Sequence, residues 1–162
     1  MSDDQQPVFS IEKVYVKDLS LEVPTGPKAF LEAGQPQFEV NLRNQSARVN
    51  EALFEAVVKV TVTAKVNDKV LFLVEAEQGA IFQVRNVPEA DMGPLLGVAC
   101  PNIIFPYARE TIADLIMRAG FPPIHLAPVN FEAMYAASQQ QKKNGEEKNG
   151  ENNSAPRIEI AH

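Results

Sequence analysis

Hydrophobic and polar residues alternate through the first half of the chain, and the period changes in the second. From Phe9 to Val23 β-branched and aromatic residues predominate until Pro24, Gly26 and Pro27 stop the run. The loop from Pro24 to about Pro36 carries Phe30 and Leu31, apolar side chains placed to close over something. Phe38, Val40 and Leu42 then alternate with Glu39, Asn41 and Arg43. The clearest strand is Glu55 to Val66. Ala56, Val58, Val60, Val62, Ala64 and Val66 share one face, and Glu55, Lys59, Thr61, Thr63 and Lys65 the other. Asn67-Asp68 supplies turn chemistry, so Val70 to Val84 is expected to run back as a hairpin partner. On it Val70, Phe72, Val74, Ala76, Ala80, Phe82 and Val84 have core parity, while Leu71, Leu73, Glu75 and Glu77 have the opposite one. One dry and one mixed face predict an antiparallel sheet covered on one side.

After Pro101 the spacing becomes helical. Phe105, Ala108, Ile112, Leu115, Ile116 and Ala119 draw one apolar stripe. Pro106 suits a first turn, Asp114 and Arg118 form an i,i+4 pair, and Gly120 stands where a C-cap glycine belongs. Phe121-Pro122-Pro123 ends that helix. Pro128 can open a second, with Val129, Phe131, Met134, Tyr135 and Ala137 as its apolar residues. From Ser138 onward Gln, Lys, Asn, Glu and Gly take over. The fold class predicted is α+β, a four-stranded antiparallel sheet followed by two helices. Residues 1–8 are expected to be a flexible N-terminus, 9–137 the folded domain and 138–162 a disordered polar tail.

Composition narrows the function. At 162 residues the chain has room for one domain with a sizeable core. The apolar fraction of 45% is that of an ordinary globular protein, and no window reads as a membrane span. The opening MSDDQQPVFS is acidic and polar, unlike a secretory signal, so a cytoplasmic location is expected. The single cysteine, Cys100, excludes an internal disulfide and a Cys-based zinc cluster. A net charge of −6 repels phosphate backbones, which argues against nucleic acid and favours basic partners.

Catalytic constellations are nearly absent. His162 ends the tail, and His125 lies between Pro123 and Pro128 without a second histidine near it. Cys100 sits in an apolar stretch suited to an inert thiol. There is no phosphate-binding glycine loop; Gly93 and Gly97 are isolated in a Met-Gly-Pro-Leu-Leu-Gly segment. No enzyme, metal or cofactor is expected. What remains is apolar surface, which serves either a core and an oligomer interface or a groove for extended chains. Composition and spacing leave both open.

Residues 98–135 read VACPNIIFPYARETIADLIMRAGFPPIHLAPVNFEAMY. This closely resembles the SecB family of protein-export chaperones, above all in CPNIIFPYARE (Cys100 to Glu110) and FPPIHLAPVNFEAMY (Phe121 to Tyr135). YVKDLSLE (Tyr15 to Glu22), VTVTA (Val60 to Ala64) and EQGAIF (Glu77 to Phe82) are similar as well, so the likeness covers roughly residues 9–137. It implies an ATP-independent cytosolic holdase that keeps secretory precursors unfolded and delivers them to the SecA translocation motor. It also implies a homotetramer, a dimer of dimers, with Val74, Ala76, Gln78, Ile112, Leu115 and Ile116 at subunit interfaces.

Two functional surfaces carry over by position. The family's acidic docking patch for the C-terminal zinc-bearing tail of SecA matches Asp18, Glu22, Leu73 and Glu75, with the zinc belonging to the partner. The client groove for unfolded precursors corresponds to Phe30, Phe38, Phe121, Leu126, Phe131, Met134 and Tyr135. An adaptable methionine and flat aromatics suit a surface that accepts many sequences. The family's tail is usually acidic, whereas residues 138–162 hold four basic and four acidic side chains, so an auxiliary tail contact with the motor lacks that excess. The rival reading is an antitoxin-linked SecB-like adaptor serving one dedicated partner; the docking set of Asp18, Glu22, Leu73 and Glu75 argues for export.

Overall fold

The alternation of the first half becomes four long strands: β1 (Val8–Glu22), β2 (Gln37–Arg48), β3 (Leu53–Val66) and β4 (Lys69–Arg85). They form one antiparallel sheet in the order β1-β4-β3-β2. The computed structural model describes residues 5–145 and 160–161. Asn67 and Asp68 both take positive φ, 49° and 63°, which gives the tight turn of a twisted β3–β4 hairpin. The loop before β2 holds a short 3₁₀ turn, Gly26–Leu31.

Two register shifts along β1, between Ile11 and Lys13 and between Val16 and Asp18, mark bulges at Glu12 and Lys17. The second changes parity. Val16 and Leu19 face the same side although they are three apart, opposite the buried Gln78 and Ala76 of β4. A further shift in the β3–β4 ladder accompanies burial of Leu71, which strict alternation assigns to the mixed face.

The helical stripe behaves as its spacing predicts, but its helix starts earlier. Helix α1 (Glu89–Pro94), a π-helical turn (Leu95–Ala99) and α2 (Cys100–Arg118) follow one another without interruption, so Pro106 lies inside a helix and not in its first turn. Pro101 has no N–H to give Gly97, and its ring crowds that carbonyl. The wider π turn accommodates this, with the Cys100 N–H reaching Leu95 O, while the Asn44 amide donates to Gly97 O at 3.4 Å. Ile104, Phe105, Ala108, Ile112, Leu115 and Ile116 bury their stripe in one core with β3 and β4. Gly120, at φ 90°, closes the helix, with Phe121 N–H bonded to Ile116 O.

A short strand, β5 (His125–Leu126), precedes α3 (Phe131–Gly145). Asn130 caps α3 by accepting the Ala133 N–H at 2.9 Å, two residues after the expected start at Pro128. Helix α3 continues through residues 138–145, where the composition predicts disorder. Ile160–Ala161 form β6, paired with β5. The other residues of the expected tail, and residues 1–4 of the expected N-terminus, lie outside the described residues, and Val8 already belongs to β1.

Candidate functional site

Antiparallel register puts directly opposed residues on one face. Glu22 stands opposite Leu73, Ser20 opposite Glu75 and Asp18 opposite Glu77, so Asp18, Glu22, Leu73 and Glu75 share the sheet face turned away from α2. Asp18 and Glu22 are exposed; Leu73 and Glu75 are half-buried. The patch has organisers that the spacing did not reveal. Lys59 of β3 reaches Glu75 at 3.0 Å and Glu77 at 3.3 Å, and Thr61 donates to Glu75 at 3.1 Å. The Lys59 hydrogen bond holds the Glu75 carboxyl below the usual carboxylate range against the opposing effect of burial, with Thr61 adding to the lowering. Asp18 and Glu22 therefore present the free negative charge, and Glu75 is fixed in place by a lysine.

The same face carries a second cluster. Lys17, extruded by its bulge, pairs with Glu55 at 2.7 Å, and the Tyr15 hydroxyl donates to the same carboxylate. Lys17 first and Tyr15 second hold Glu55 low, while burial and then Glu55 push the Tyr15 phenol up to about 12. The Tyr15 ring lies over Gly79, where a Cβ would come within 2.7 Å of it.

On the helix side the apolar candidates separate into groups. Phe121 stacks on Phe30 with centroids 4.9 Å apart and tilts against Phe72 at 5.0 Å. Phe30 is 53% exposed and the neighbouring Leu31 82%, so this aromatic pair ends at solvent. Phe38 is half-buried at the edge of the core. Met134 and Tyr135 line a cleft of about 580 Å³ between β2, α1 with its π turn, and α3. Tyr135 rests on Gly93 and Gly97; a Cβ on Gly97 would lie 2.6 Å from its ring. Gly93 and Gly97, which look isolated in the sequence, stand one helical turn apart, and that four-residue spacing is the signal that could have pointed to a groove for the Tyr135 ring. Leu126 and Phe131 are each 1% exposed and belong to the core, Phe131 edge-on to Phe105 at 5.9 Å. Neither offers surface to a ligand in this chain.

The expected subunit-interface residues are likewise inside. Val74, Ala76, Gln78, Ile112, Leu115 and Ile116 are all buried within one chain. The helical stripe is the face that meets the sheet, and Val74, Ala76 and Gln78 face that same core. Apolar residues with surface to offer include Phe9, Ile11, Val16 and Leu19 on β1 and Ile103, Tyr107 and Met117 on α2. Cys100 is fully buried, and desolvation pushes its thiol up to about 12, far from a nucleophile's range. No group of three or more His, Cys, Asp or Glu among the described residues is placed to hold a metal ion. Among the described residues no helix is long and apolar enough to cross a membrane.

Comparison with known proteins bears on the family and the fold. The family described as preprotein translocase subunit SecB matches residues 2–142. A protein-export protein SecB of Nitrosospira multiformis is 57% identical over 145 residues, 89% of this chain and 91% of its own. That of Methylobacillus flagellatus is also 57% identical, over 89% of this chain and 93% of its own. Among solved structures, the Mycobacterium tuberculosis Rv1957 SecB-like chaperone, in complex with a ChAD peptide from the Rv1956 HigA1 antitoxin, shares the fold. Its TM-score is 0.62 at 16% identity, covering 75% of this chain and 90% of that one.

Proposed function

Because the chain belongs to the SecB family of protein-export chaperones, we propose that it is an ATP-independent cytoplasmic holdase that binds unfolded secretory precursors and delivers them to the SecA motor. The observation that carries this reading is the separation of two surfaces by the sheet. Asp18, Glu22, Leu73 and Glu75 lie on one face, and the Phe30–Phe121 pair and the Met134–Tyr135 cleft lie on the helix side. A client and a motor can then be held together without competing for the same side chains. The acidic patch suits a basic, zinc-bearing tail of SecA, with the metal supplied by the partner.

An unfolded precursor exposes apolar segments that a folded one hides, so apolar clefts select the unfolded state by mass action. A patch of about 100 Å² contributes roughly 2.5 kcal/mol before ordering costs. Several such sites on a homotetramer, a dimer of dimers, add avidity along one long client. Motor docking on the opposite face then begins the handover. The 57% identity to export proteins, set against 16% to the antitoxin-bound chaperone, favours export over a dedicated adaptor.

The decisive experiment adds purified protein to a slowly folding precursor in the absence of nucleotide. Folding should be delayed, and the absence of any delay at a molar excess would sink the holdase reading. Reversing charge at Asp18 and Glu75 together (D18K/E75K) should weaken SecA binding and leave that delay intact. Equal loss of both would show that the surfaces are not separate.

A further inference from the structure

Near its end the polar tail reads Ile158-Glu159-Ile160-Ala161, where isoleucines recur at the period of a strand. Ile160–Ala161 pair antiparallel with β5, with Ile160 opposite Leu126 and Ala161 opposite His125. Among the described residues β6 is the one strand that pairs with β5, which stands apart from the main sheet. Prolines flank β5 on both sides, at 122, 123 and 128, and hold the preceding residues in extended conformations. Ile124 and Leu126 are buried and anchor it, while His125 between them is exposed. The result is a rigid, extended edge beside Phe121, itself stacked on the exposed Phe30.

Such an edge reads main chain and not sequence, since its hydrogen bonds are available to any extended peptide. We propose that β5 is a strand-acceptor edge for an extended, unfolded polypeptide, and that the chain's own C-terminal strand occupies it in the absence of one. This rests on the holdase reading above and adds to it a specific backbone contact and an intramolecular competitor. Because β6 belongs to the same chain as β5, its pairing is intramolecular and does not depend on protein concentration. A client must displace it, so apparent affinity is lowered by the fraction of molecules with a free edge.

Three variants of the full chain test this: truncation after Glu159, Ile160→Pro, which removes a backbone donor, and Ile160→Val as the conservative control. The probe is a reduced, alkylated, permanently unfolded protein, read by binding titration and by amide exchange over residues 122–128. Truncation and I160P should speed exchange there and tighten probe binding about three- to tenfold. Bound probe should restore the protection, and I160V should behave as the parent. Unchanged or weaker binding by both disrupted variants overturns the proposal, as does tighter binding without renewed protection at β5. If neither the parent nor the variants bind the probe, the holdase reading itself fails and the proposal with it.

Discussion

Among the described residues Gln78 is the buried polar side chain of the core, and both ends of its amide are used. Its Nε2 donates to Tyr15 O on β1 at 3.0 Å, and its Oε1 accepts from the Thr111 hydroxyl of α2 at 3.0 Å. One residue therefore ties the edge strand to the helix across the inner face. Gln78→Leu leaves a carbonyl and a hydroxyl without their partner and should destabilise by roughly 1–3 kcal/mol. Adding Thr111→Val removes one of the orphaned groups and should recover part of that loss. Urea unfolding at fixed protein concentration reads both, and a Q78L protein as stable as the parent would deny the bridge any structural weight. The polar face adds a pH dependence. The carboxyls of Glu75 and Glu55 are lowered in the folded state, so their stabilisation is complete above the ordinary value of 4.5 and is lost as pH falls through the lowered one. Tyr15 is shifted the other way, from 10.0 to about 12, so its contribution is present below pH 10.0 and disappears above it as the phenol ionises through that higher value. Unfolding midpoints should be level between those limits, and Glu75→Gln with Glu55→Gln should make the acid side shallower.

Tyr135 shows how one element is fitted to another. Its ring fills the space left by two glycines a helical turn apart, at the point where the π turn compensates for Pro101. Gly97→Ala puts a methyl group into that ring and should loosen α3 by about 1–3 kcal/mol, seen as faster amide exchange at its N-terminal turns. Tyr135→Ala vacates the space, so G97A in a Y135A background should cause little further change. A full additional loss in the double variant would mean that the glycine serves the helix backbone and not the tyrosine. The same region shows what the sequence made legible. Period-two alternation located the four strands because the inner face is dry over long stretches, as in Ala56 to Val66. The stripe from Phe105 to Ala119 was readable because it meets one continuous sheet. The start of that helical run at Glu89 was not, because Pro94, Pro101 and Pro106 read as breaks when a single π turn and the Asn44 amide can absorb Pro101. Bulges at Glu12 and Lys17 were equally hidden, since a bulge is a property of pairing and has no fixed residue signature.

At the scale of the whole molecule, the shared sheet face of Asp18, Glu22, Leu73 and Glu75 was legible because strand parity puts Asp18 with Glu22 and Leu73 with Glu75, and the β1–β4 register joins the pairs. The destination of the helical stripe was not, because an apolar stripe has the same pattern whether it meets its own sheet or another subunit. Ile112, Leu115 and Ile116 meet their own. What a single chain leaves open is a groove of about 1040 Å³ between β1 and α2, lined by Val16, Leu19, Pro106 and Met117 and flanked by Arg109, Glu110, Asp114 and Arg118. β1 is also an edge of the sheet over its 15 residues, an invitation to pairing that native proteins seldom leave uncovered. An apolar strip bordered by both signs of charge is suited to a two-fold contact, where each patch meets its own copy. The homotetramer reading therefore predicts that Leu19→Glu, alone or with Val16→Asp, shifts the solution mass from tetramer towards dimer or monomer by light scattering, with the fold retained by circular dichroism. Ile112→Ala should do the reverse, lowering stability by about 2–4 kcal/mol through a core cavity while the mass at low denaturant stays that of the parent. A tetramer unmoved by charge at Leu19 and Val16 would remove β1 from the interface, and a monomeric parent would remove the tetramer.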